Sequence, residues 1–314
     1  MKSKSIDVSI IILSYNTKNL TLACIESVVR HTQGINYELI IIDNASTDGS
    51  VEMLKDLKRK VKGVVVILSK ENLGFSAGNN LGMSVARGKY ILLLNSDTEF
   101  GENVLSPMIP WMEQHPKVGV ATCQLTNPYG SIQPTGGMYP DLWHLFLWST
   151  FLDDLPGVGE LFGSYHPHPT FYRQEHSLDW VTGAFMLIRK TAKEEVAEFD
   201  PKFFMYAEDM EYCYRFKQKG WGIRYVPIAR IMHIGGASST GEGVHFSNNV
   251  YGKERSVVGE FKGIGLFYRK HFPAQYPLAS VLLKIGASLR FFVFGLIFQQ
   301  TQAKNIYAKA FQSI

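Results

Sequence analysis

Short apolar runs alternate with amphipathic segments along the first hundred residues. Strands that are apolar throughout are typical of parallel sheets with both faces covered. Between the first two runs, apolar residues recur at the spacing of one helix face. Strand, polar loop, helix and strand in succession predict βαβ units and a Rossmann-like sheet with helices on both faces, an α/β fold. The runs occupy residues 8–14, 38–42, 64–68 and 90–94, and each ends in polar residues.

After residue 105 the pattern is less regular. Residues 127–179 are rich in Pro, Gly and aromatic residues, which suits either an acceptor-binding insertion, because aromatic faces stack on sugar rings, or a set of packed loops. Elsewhere the spacing predicts helices over residues 106–115 and 212–219, and strands over residues 118–122, 180–189 and 225–232. We therefore predict a domain in two halves, residues 1–105 and 106–245, with a tail over residues 246–314.

Charge is distributed unevenly along the 314 residues. Residues 246–314 hold nine Lys and Arg against two acids, whereas the rest of the chain holds 23 against 26. A basic tail predicts a membrane surface or another anionic partner, and nothing indicates nucleic acid. Three widely spaced cysteines indicate a reduced, cytoplasmic protein, and the first apolar run is too short for a signal peptide.

Carboxylates follow two of the predicted strands. Asp97 would lie at the mouth of a cleft with its carboxylate free, where it suits a hard cation such as Mg²⁺ or caps the next helix. Asp43 could contact a base or ribose, or make an Asx turn. Residues 72–80 contain several small residues before a helix, which would let the backbone approach a phosphate.

A second acidic cluster lies near the end of the domain. Glu208, Asp209 and Glu211 stand before a predicted helix, so they either stabilise its dipole or include a general base, and Glu211 can pair with Arg215. His233 ends the last strand, before a Gly- and Ser-rich loop over residues 235–243, and is a candidate metal ligand or a hinge residue.

Taken together, these segments resemble the inverting glycosyltransferases of family 2, which have the GT-A fold, and in particular the bacterial rhamnosyltransferase-like branch. The resemblance covers about residues 6–240. It rests on the order and spacing of VSIIILSYN (8–16), IDNASTDGS (42–50), NLGFSAGNNLG (72–82), LNSDT (94–98), TGAFMLIRK (182–190), FDPKFFMYAEDMEYCYR (199–215) and HIGGAS (233–238).

The resemblance implies roles for individual residues. Asp43 would contact the nucleotide base, Asp97 and His233 would bind Mg²⁺ or Mn²⁺, and Asp209 would be the catalytic base, with Glu208 as its rival. The first half would bind the nucleotide sugar and the second half the acceptor. One departure is Asn95, which stands where the family often has the first aspartate of its metal motif. Further residues expected at the donor site are Ser14, Asn16, Asn72, Gly74, Asn80 and Ser96, and on the acceptor side Trp180 and Gly183.

The implied function is metal-dependent transfer of a sugar, best matched by rhamnose from dTDP-rhamnose, to a glycan or lipid-linked glycan during synthesis of a bacterial surface polysaccharide. Two alternatives are transfer to a polyprenyl phosphate, whose anionic acceptor needs no base, and a sugar-nucleotide-binding protein without catalysis. We expect the protein on the cytoplasmic face of the cell membrane.

Residues 277–302 predict a single amphipathic helix that lies on the membrane. Its polar stripe would contain Ser280, Lys284, Ser288, Gly295, Gln299 and Gln302, and the remaining positions are largely apolar. Lys284 and Arg290 interrupt the run too soon for a transmembrane helix. The alternative is a helix packed on its own domain or on a second subunit of a homo-oligomer.

Overall fold

The computed structural model describes residues 5–61, 63–155, 157–235 and 250–314. Four parallel strands form the first part of the central sheet, in the order β3-β2-β1-β4. The succession of strand and helix predicted for this half is confirmed. The strands are β1 (Val8–Ser14), β2 (Tyr37–Asp43), β3 (Val64–Leu68) and β4 (Tyr90–Asn95), and the helices between them are α1 (Lys18–His31), α2 (Ser50–Lys60) and α3 (Gly74–Val85).

Successive side chains of β1 and β4 face two separate hydrophobic cores. Ile11 and Leu93 pack in one core, and Ile10 and Leu92 pack in the other. All four side chains are fully buried. Because alternate residues of a strand point to opposite faces, a strand that is covered on both sides has to be apolar at every position.

The second half of the domain extends the same sheet and makes it mixed. β11 pairs antiparallel with β4, so the sheet around residues 90–94 is parallel only on its β1 side. The full order is β3-β2-β1-β4-β11-β6-β12-β5. The added elements are β5 (Thr98–Phe100), α4 (Leu105–Gln114), β6 (Val118–Thr126), β11 (Phe185–Arg189), α7 (Lys190–Val196), α8 (Glu208–Gln218) and β12 (Gly222–His233).

The strand predicted over residues 180–189 is broken. Its first part, β10 (Trp180–Val181), pairs with β8 (Gly136–Gly137) in a separate two-stranded sheet, while its second part is β11. Gly183 lies at the break, where a Cβ atom would come within 2.4 Å of the Phe75 ring. The continuous strand is wrong because the chain leaves the main sheet here and passes Phe75 at a distance that only glycine permits.

The insertion over residues 127–179 combines short helices and strands with packed loops. Its aromatic residues pack together: the ring of Tyr165 lies 5.8 Å from that of Trp148 and 5.5 Å from that of Trp180. All three side chains are buried, so this cluster belongs to the protein core. Besides β8 the insertion contains β7 (Ile132–Gln133), α5 (Leu142–Ser149), α6 (Val158–Phe162), β9 (His176–Ser177) and two short 3-10 turns.

The tail forms three helices, α9 (Val250–His271), α10 (Tyr276–Arg290) and α11 (Thr301–Ser313). A π-helical segment, Phe291–Ile297, continues α10, and the chain then turns at Gln299, which has a positive φ of 51°. The single helix predicted over residues 277–302 is therefore wrong at its C-terminal end. The glycine-rich loop over residues 235–243 lies almost entirely outside the described residues.

The exposed side of α10 is mainly apolar, and of the predicted polar stripe only Ser288, Gln299 and Gln302 are exposed. Gly295 is buried and Lys284 is half-buried, because α10 packs one face on α5, α9 and α11. Arg290 is also buried and donates to the carbonyl oxygen of Trp148. Among the described residues, Tyr276–Ile297 is the one helical stretch that length and composition would allow to cross a membrane. The exposed apolar stripe contains Leu278, Val281, Ile285, Phe292 and Leu296.

A buried ion cluster joins α8 to the tail. The carboxylate of Glu211 is fully buried and lies 3.0 Å from Arg215 Nε, 2.8 Å from Lys270 Nζ and 3.0 Å from His271 Nε2. The predicted pairing of Glu211 with Arg215 is thus confirmed. Burial opposes ionisation, but the hydrogen bond from His271 and the neighbouring cations lower the pKa of Glu211 to about 2. The cluster stabilises the packing of α9 on α8 whenever Glu211 is charged.

We predict that Glu211→Gln lowers the free energy of unfolding by about 3 kcal/mol, because Arg215 and Lys270 lose their buried counter-charge. Asp56→Asn is the control, since the pair of Asp56 with Arg59 is exposed and is worth less than about 1 kcal/mol. A depressed carboxyl pKa stabilises the fold above pH 4.5 and loses this effect as pH falls toward 2. The deficit measured by urea unfolding should therefore shrink in acid; an equal deficit in both variants would contradict the prediction.

Candidate active site

The carboxyl ends of three neighbouring strands bring polar residues to one edge of the sheet. Ser14 lies opposite Asp43 in the register of β1 and β2, and Leu13 lies opposite Asn95 in the register of β1 and β4. Parallel strands end at the same edge, so these side chains meet in the crevice where open α/β sheets bind ligands.

Asp43 is fully buried at this edge, and only one of its two carboxylate oxygens accepts a hydrogen bond from the described residues. Its Oδ2 accepts from the backbone N–H of Ser46 at 2.9 Å, as an Asx turn would. Its Oδ1 is buried and has no hydrogen-bond partner in the described part of the chain. Asn16 closes the loop beside it, with a positive φ of 52° and its Oδ1 2.7 Å from Thr47 N. A buried acceptor that lacks a donor is costly unless a ligand supplies one.

Ser14 and Ser96 belong to a buried network of hydroxyl groups. Ser14 Oγ lies 2.8 Å from Thr21 Oγ1, and Ser96 Oγ lies 3.1 Å from Thr17 Oγ1. Thr17 and Thr21 are 3.1 Å apart, so the chain of hydroxyls links β1, α1 and the end of β4. The two serines therefore position the loops at the sheet edge through contacts within the protein.

The small residues at the start of α3 approach protein rather than solvent. A Cβ on Gly74 would lie 2.4 Å from the carbonyl oxygen of Phe204. Asn72 Oδ1 accepts from the backbone N–H of Gly74 at 2.9 Å. Asn80 bonds both backbone groups of Phe199, with distances of 2.9 and 3.0 Å. These residues tie α3 to the segment before α8, a role in packing that sequence analysis did not anticipate.

Asp97 and His233 come together, with 3.4 Å between Oδ1 and Nε2. Asp97 is only 4% exposed. The sequence predicted a carboxylate that is free in the cleft, and this prediction is wrong because the side chain is buried. Gln133 fixes the imidazole: its Nε2 donates to the carbonyl oxygen of His233 at 2.9 Å, which leaves its Oε1 to accept from Nδ1 at 3.0 Å. Nε2 of His233 is then the acceptor nitrogen. Asn95 Nδ2 lies 3.5 Å from it.

The same residues fit a hard divalent cation that is held mainly by its substrate. In the described ranges no group of three or more His, Cys, Asp or Glu side chains could hold a metal. Mg²⁺ and Mn²⁺ often bind through one or two protein ligands, with phosphate and water oxygens completing the shell. Asp97 Oδ1 and His233 Nε2 are such a pair, and the hydrogen bonds from Gln133 would hold the imidazole in the orientation that a metal ligand needs.

Glu208 and Asp209 begin α8 and differ in their surroundings. Glu208 is 6% exposed, and its Oε2 has no hydrogen-bond partner in the structure as described. Burial, and then the charge of Asp209, raise the pKa of Glu208 well above its usual value, so its neutral form is favoured. Asp209 Oδ2 lies 3.3 Å from the backbone N–H of Gly183. Burial raises the pKa of Asp209 to about 6, which suits proton transfer near neutral pH.

Of the two residues expected on the acceptor side, Gly183 contacts Asp209 and Trp180 is buried in the core. Trp180 donates from its indole to the carbonyl oxygen of Met138 at 3.0 Å, and its ring lies 5.9 Å from that of His166. His166 Nε2 pairs with Glu260 of α9 at 2.6 Å, and both side chains are partly exposed. The backbone N–H of Asn95 bonds the carbonyl of Ala184 at 3.1 Å, which joins this region to the end of β4.

The structure therefore places the candidate residues in three adjoining groups along one edge of the sheet. Ser14 and Asp43 are at the ends of β1 and β2, the Asp97–His233 pair is at the ends of β4 and β12, and Asp209 is at the start of α8. Sequence analysis did not anticipate Gln133, His166 or Glu260. No spacing in the sequence relates them to the site, because each reaches it through tertiary packing.

The sequence profile of the family described as glycosyl transferase family 2 matches residues 9–195, more than half of the chain. The chain belongs to this family. A relative is the N-acetylglucosaminyl-diphospho-decaprenol L-rhamnosyltransferase of Mycobacterium tuberculosis (strain H37Rv), which is 27% identical over 212 residues; the match covers 62% of this chain and 66% of the relative, just under two thirds of its length. A poly(ribitol-phosphate) beta-glucosyltransferase of Bacillus spizizenii is 38% identical over 100 residues, 31% of this chain and 16% of the relative.

Solved structures share the fold. GalNAc-T7 with UDP, GalNAc and Mn²⁺ superimposes with a TM-score of 0.61 at 16% identity, over 99% of this chain and 56% of that one. The mannosyltransferase PcManGT of Pyrobaculum calidifontis, in complex with GDP-Man and Mn²⁺, gives 0.55 at 14% identity, over 98% and 85%. The predicted GT-A fold with a C-terminal helical region is confirmed.

Proposed function

We propose that this family 2 protein is a metal-dependent inverting glycosyltransferase that moves a sugar, rhamnose from dTDP-rhamnose in our best match, to a lipid-linked glycan. The observation that carries the proposal is the arrangement of Asp43, Asp97 and Asp209 along one sheet edge, each in surroundings that suit a different part of the reaction. The named rhamnosyltransferase relative supports the donor and acceptor classes, and the Mn²⁺ in both structural neighbours supports the metal.

In this proposal the donor nucleotide lies across the ends of β1 and β2. The unpartnered Oδ1 of Asp43 would accept from a base N–H, which thymine and uracil both offer. Asp97 and His233 would hold Mg²⁺ or Mn²⁺. When bound, the cation neutralises charge on the leaving diphosphate. Polysaccharide synthesis at the cytoplasmic membrane would supply the lipid-linked acceptor.

Asp209 would then take the proton of the attacking acceptor hydroxyl. Ionised Asp209 keeps its carboxylate directed by the N–H of Gly183, while neutral Glu208 adds no second negative charge. Two acids whose surroundings separate their pKa values are a recurrent basis for assigning a catalytic base. Incubation with labelled dTDP-rhamnose, UDP-sugars and GDP-sugars, with and without Mg²⁺, tests the donor and the metal; turnover that needs no metal would remove the cation from the proposal.

We predict that Asp209→Asn lowers kcat by about 10² to 10⁴-fold, the usual contribution of a positioned base, with nucleotide affinity little changed. In the wild type, activity should rise with pH through about 6 as Asp209 ionises. Glu208→Gln is the matched variant and should keep most of the activity. An inactive Glu208→Gln beside an active Asp209→Asn would reverse the assignment.

The fall in kcat of Asp209→Asn would not be caused by unfolding if the pKa of Asp209 is raised in the folded state. Ionised Asp209 then destabilises the fold, an effect that is absent below pH 3.8, grows as pH rises to about 6 and stays constant above it. The neutral amide removes this cost, so Asp209→Asn should unfold at an equal or higher temperature than the wild type at pH 8.

For the cation, we predict that Asp97→Ala and His233→Ala each weaken Mn²⁺-dependent nucleotide binding at least tenfold, because few protein ligands remain. Gln133→Ala should weaken it by about tenfold through loss of the oriented imidazole. Asn95→Asp adds a carboxylate beside Nε2 of His233 and should tighten the ion. Calorimetry with Mn²⁺ and the nucleotide diphosphate measures each effect; unchanged affinity in both alanine variants would remove these ligands from the site.

The exposed stripe of α10 supports a membrane surface as the partner of the tail. Its five apolar side chains are each 41–54% exposed. Further exposed aromatic residues lie on the insertion, including Trp143 and Phe162, and α5 packs on α10, where Gly286 lies against Ser149. The tail also holds nine basic residues against two acidic ones. Together with this charge, the apolar surface suits an anionic bilayer rather than water. It would hold the cleft near a lipid-linked acceptor.

We predict that Ile285→Glu with Phe292→Glu reduces sedimentation with phosphatidylglycerol vesicles at least tenfold, since two side chains leave the bilayer at about 2 kcal/mol each. The control is Val29→Glu with Ile228→Glu, which are 44% and 48% exposed elsewhere. The full chain is used because truncation after Gln275 would uncover the buried face of α9. Dimers in gel filtration that only the α10 variant disrupts would instead identify a second copy of the chain as the partner.

A further inference from the structure

The turn before α8 has an unusual backbone. Tyr206 and Ala207 have φ values of +72° and +67°, in the left-handed region that L-residues rarely occupy. Each such residue costs about 1–3 kcal/mol, and the conformation persists only where the surrounding structure imposes it. The turn ends one residue before Glu208 and two before Asp209. Its conformation therefore decides where the carboxylate of Asp209 lies.

Helix α9 supplies the contacts that hold this turn. A Cβ atom on Gly259 would come within 2.3 Å of the Tyr206 ring. A Cβ atom on Gly263 would come within 2.5 Å of Ala207 Cβ and 2.9 Å of the carbonyl oxygen of Tyr206. Residues four apart share one helix face, so the two glycines form a groove into which the turn fits.

The same helix reaches the site at two more points. At its C-terminal end, Lys270 and His271 bind the buried carboxylate of Glu211 in α8. Between the glycines, Glu260 pairs with His166 and accepts from the hydroxyl of Tyr165. The charge of Glu260 also contributes to the raised pKa of Asp209. Helix α9 thus contacts the turn before Asp209 and Glu211 after it, although it lies beyond residue 195, where the family match ends.

We propose that α9 belongs to the active site. In this proposal Gly259 and Gly263 are positioning residues, which hold the Tyr206–Ala207 turn and so direct Asp209 toward the acceptor. The inference rests on the proposed function, in which Asp209 is the base. Ordinary close packing of a helix would also place glycines at a contact. If the contact is only ordinary packing, displacement of the turn should lower the stability of the protein and leave the turnover of folded protein unchanged.

The decisive variant is Gly263→Ala, whose new methyl group would press on the backbone of the turn. We expect kcat to fall at least tenfold at a temperature well below the unfolding midpoint, with donor KM and nucleotide affinity within twofold of the wild type. The control is Gly265→Ala on the same helix, where a Cβ atom meets nothing nearer than Tyr276 at 3.9 Å. It should keep full activity and be no less stable, since alanine favours a helix over glycine by about 1 kcal/mol.

Gly259→Ala keeps the test decisive if Gly263→Ala fails to fold. Its methyl group would press on the ring of Tyr206 rather than on backbone, and should lower kcat about three- to tenfold with donor KM unchanged. Folded Gly259→Ala and Gly263→Ala proteins with wild-type kcat would overturn the inference, as would losses matched by Gly265→Ala. A wild-type protein that cleaves no nucleotide sugar would overturn the proposed function itself, and this outcome is visible without any variant.

Discussion

The dehydration of three carboxyl groups within the first turn of α8 is the constraint on which the site depends. Glu211 is fully buried but surrounded by Arg215, Lys270 and His271, so it remains charged. Glu208 is buried beside Asp209, and burial favours its neutral form. The pKa of Asp209 lies between those of Glu211 and Glu208. Removing a carboxylate from water is costly unless it is paired or protonated, and the three acids show both solutions within a single turn.

The central sheet supplies the other half of the site. Its parallel strands end in register, so polar residues that are far apart in the chain meet along one edge. β12 reaches the same edge from the other side and brings His233 to Asp97. Strand ends are effective positions for chemistry because the apolar strand behind them is held rigidly on both faces. The residues at the strand end are not covered on both faces, so they can be polar.

The C-terminal helices connect this site to the outside of the molecule. Helix α9 contacts the turn before Asp209 and the ion cluster on Glu211. Helix α10 packs on α9 and on the insertion, and it leaves an apolar stripe exposed. One continuous set of packed helices therefore links the surface that would contact lipid to the segment that carries the base. In the proposed function, this arrangement would hold the acceptor and the base in a fixed relation to each other.

Much of this protein could be predicted from its sequence. The apolar runs predicted the strands of the first half, since burial on both faces requires apolar residues at every position, and the ordered motifs predicted the family and the GT-A fold. The positions of Asp43, Asp97, Asp209 and His233 at element ends followed from local pattern, because an element ends where its periodicity does. Their roles in catalysis remain predictions.

Tertiary structure decided what local pattern does not contain. The run over residues 180–189 breaks because Phe75, about a hundred residues away in the chain, requires glycine at position 183. The glycines of α3 serve packing, and the tail helix exposes apolar residues because Gly286, Gly295 and Arg290 face neighbouring helices. The contacts of Gln133, Glu260 and Gly263 with the site depend on which helix or strand lies beside which. Periodicity reports that an element has a buried face, whereas only packing decides what that face is buried against.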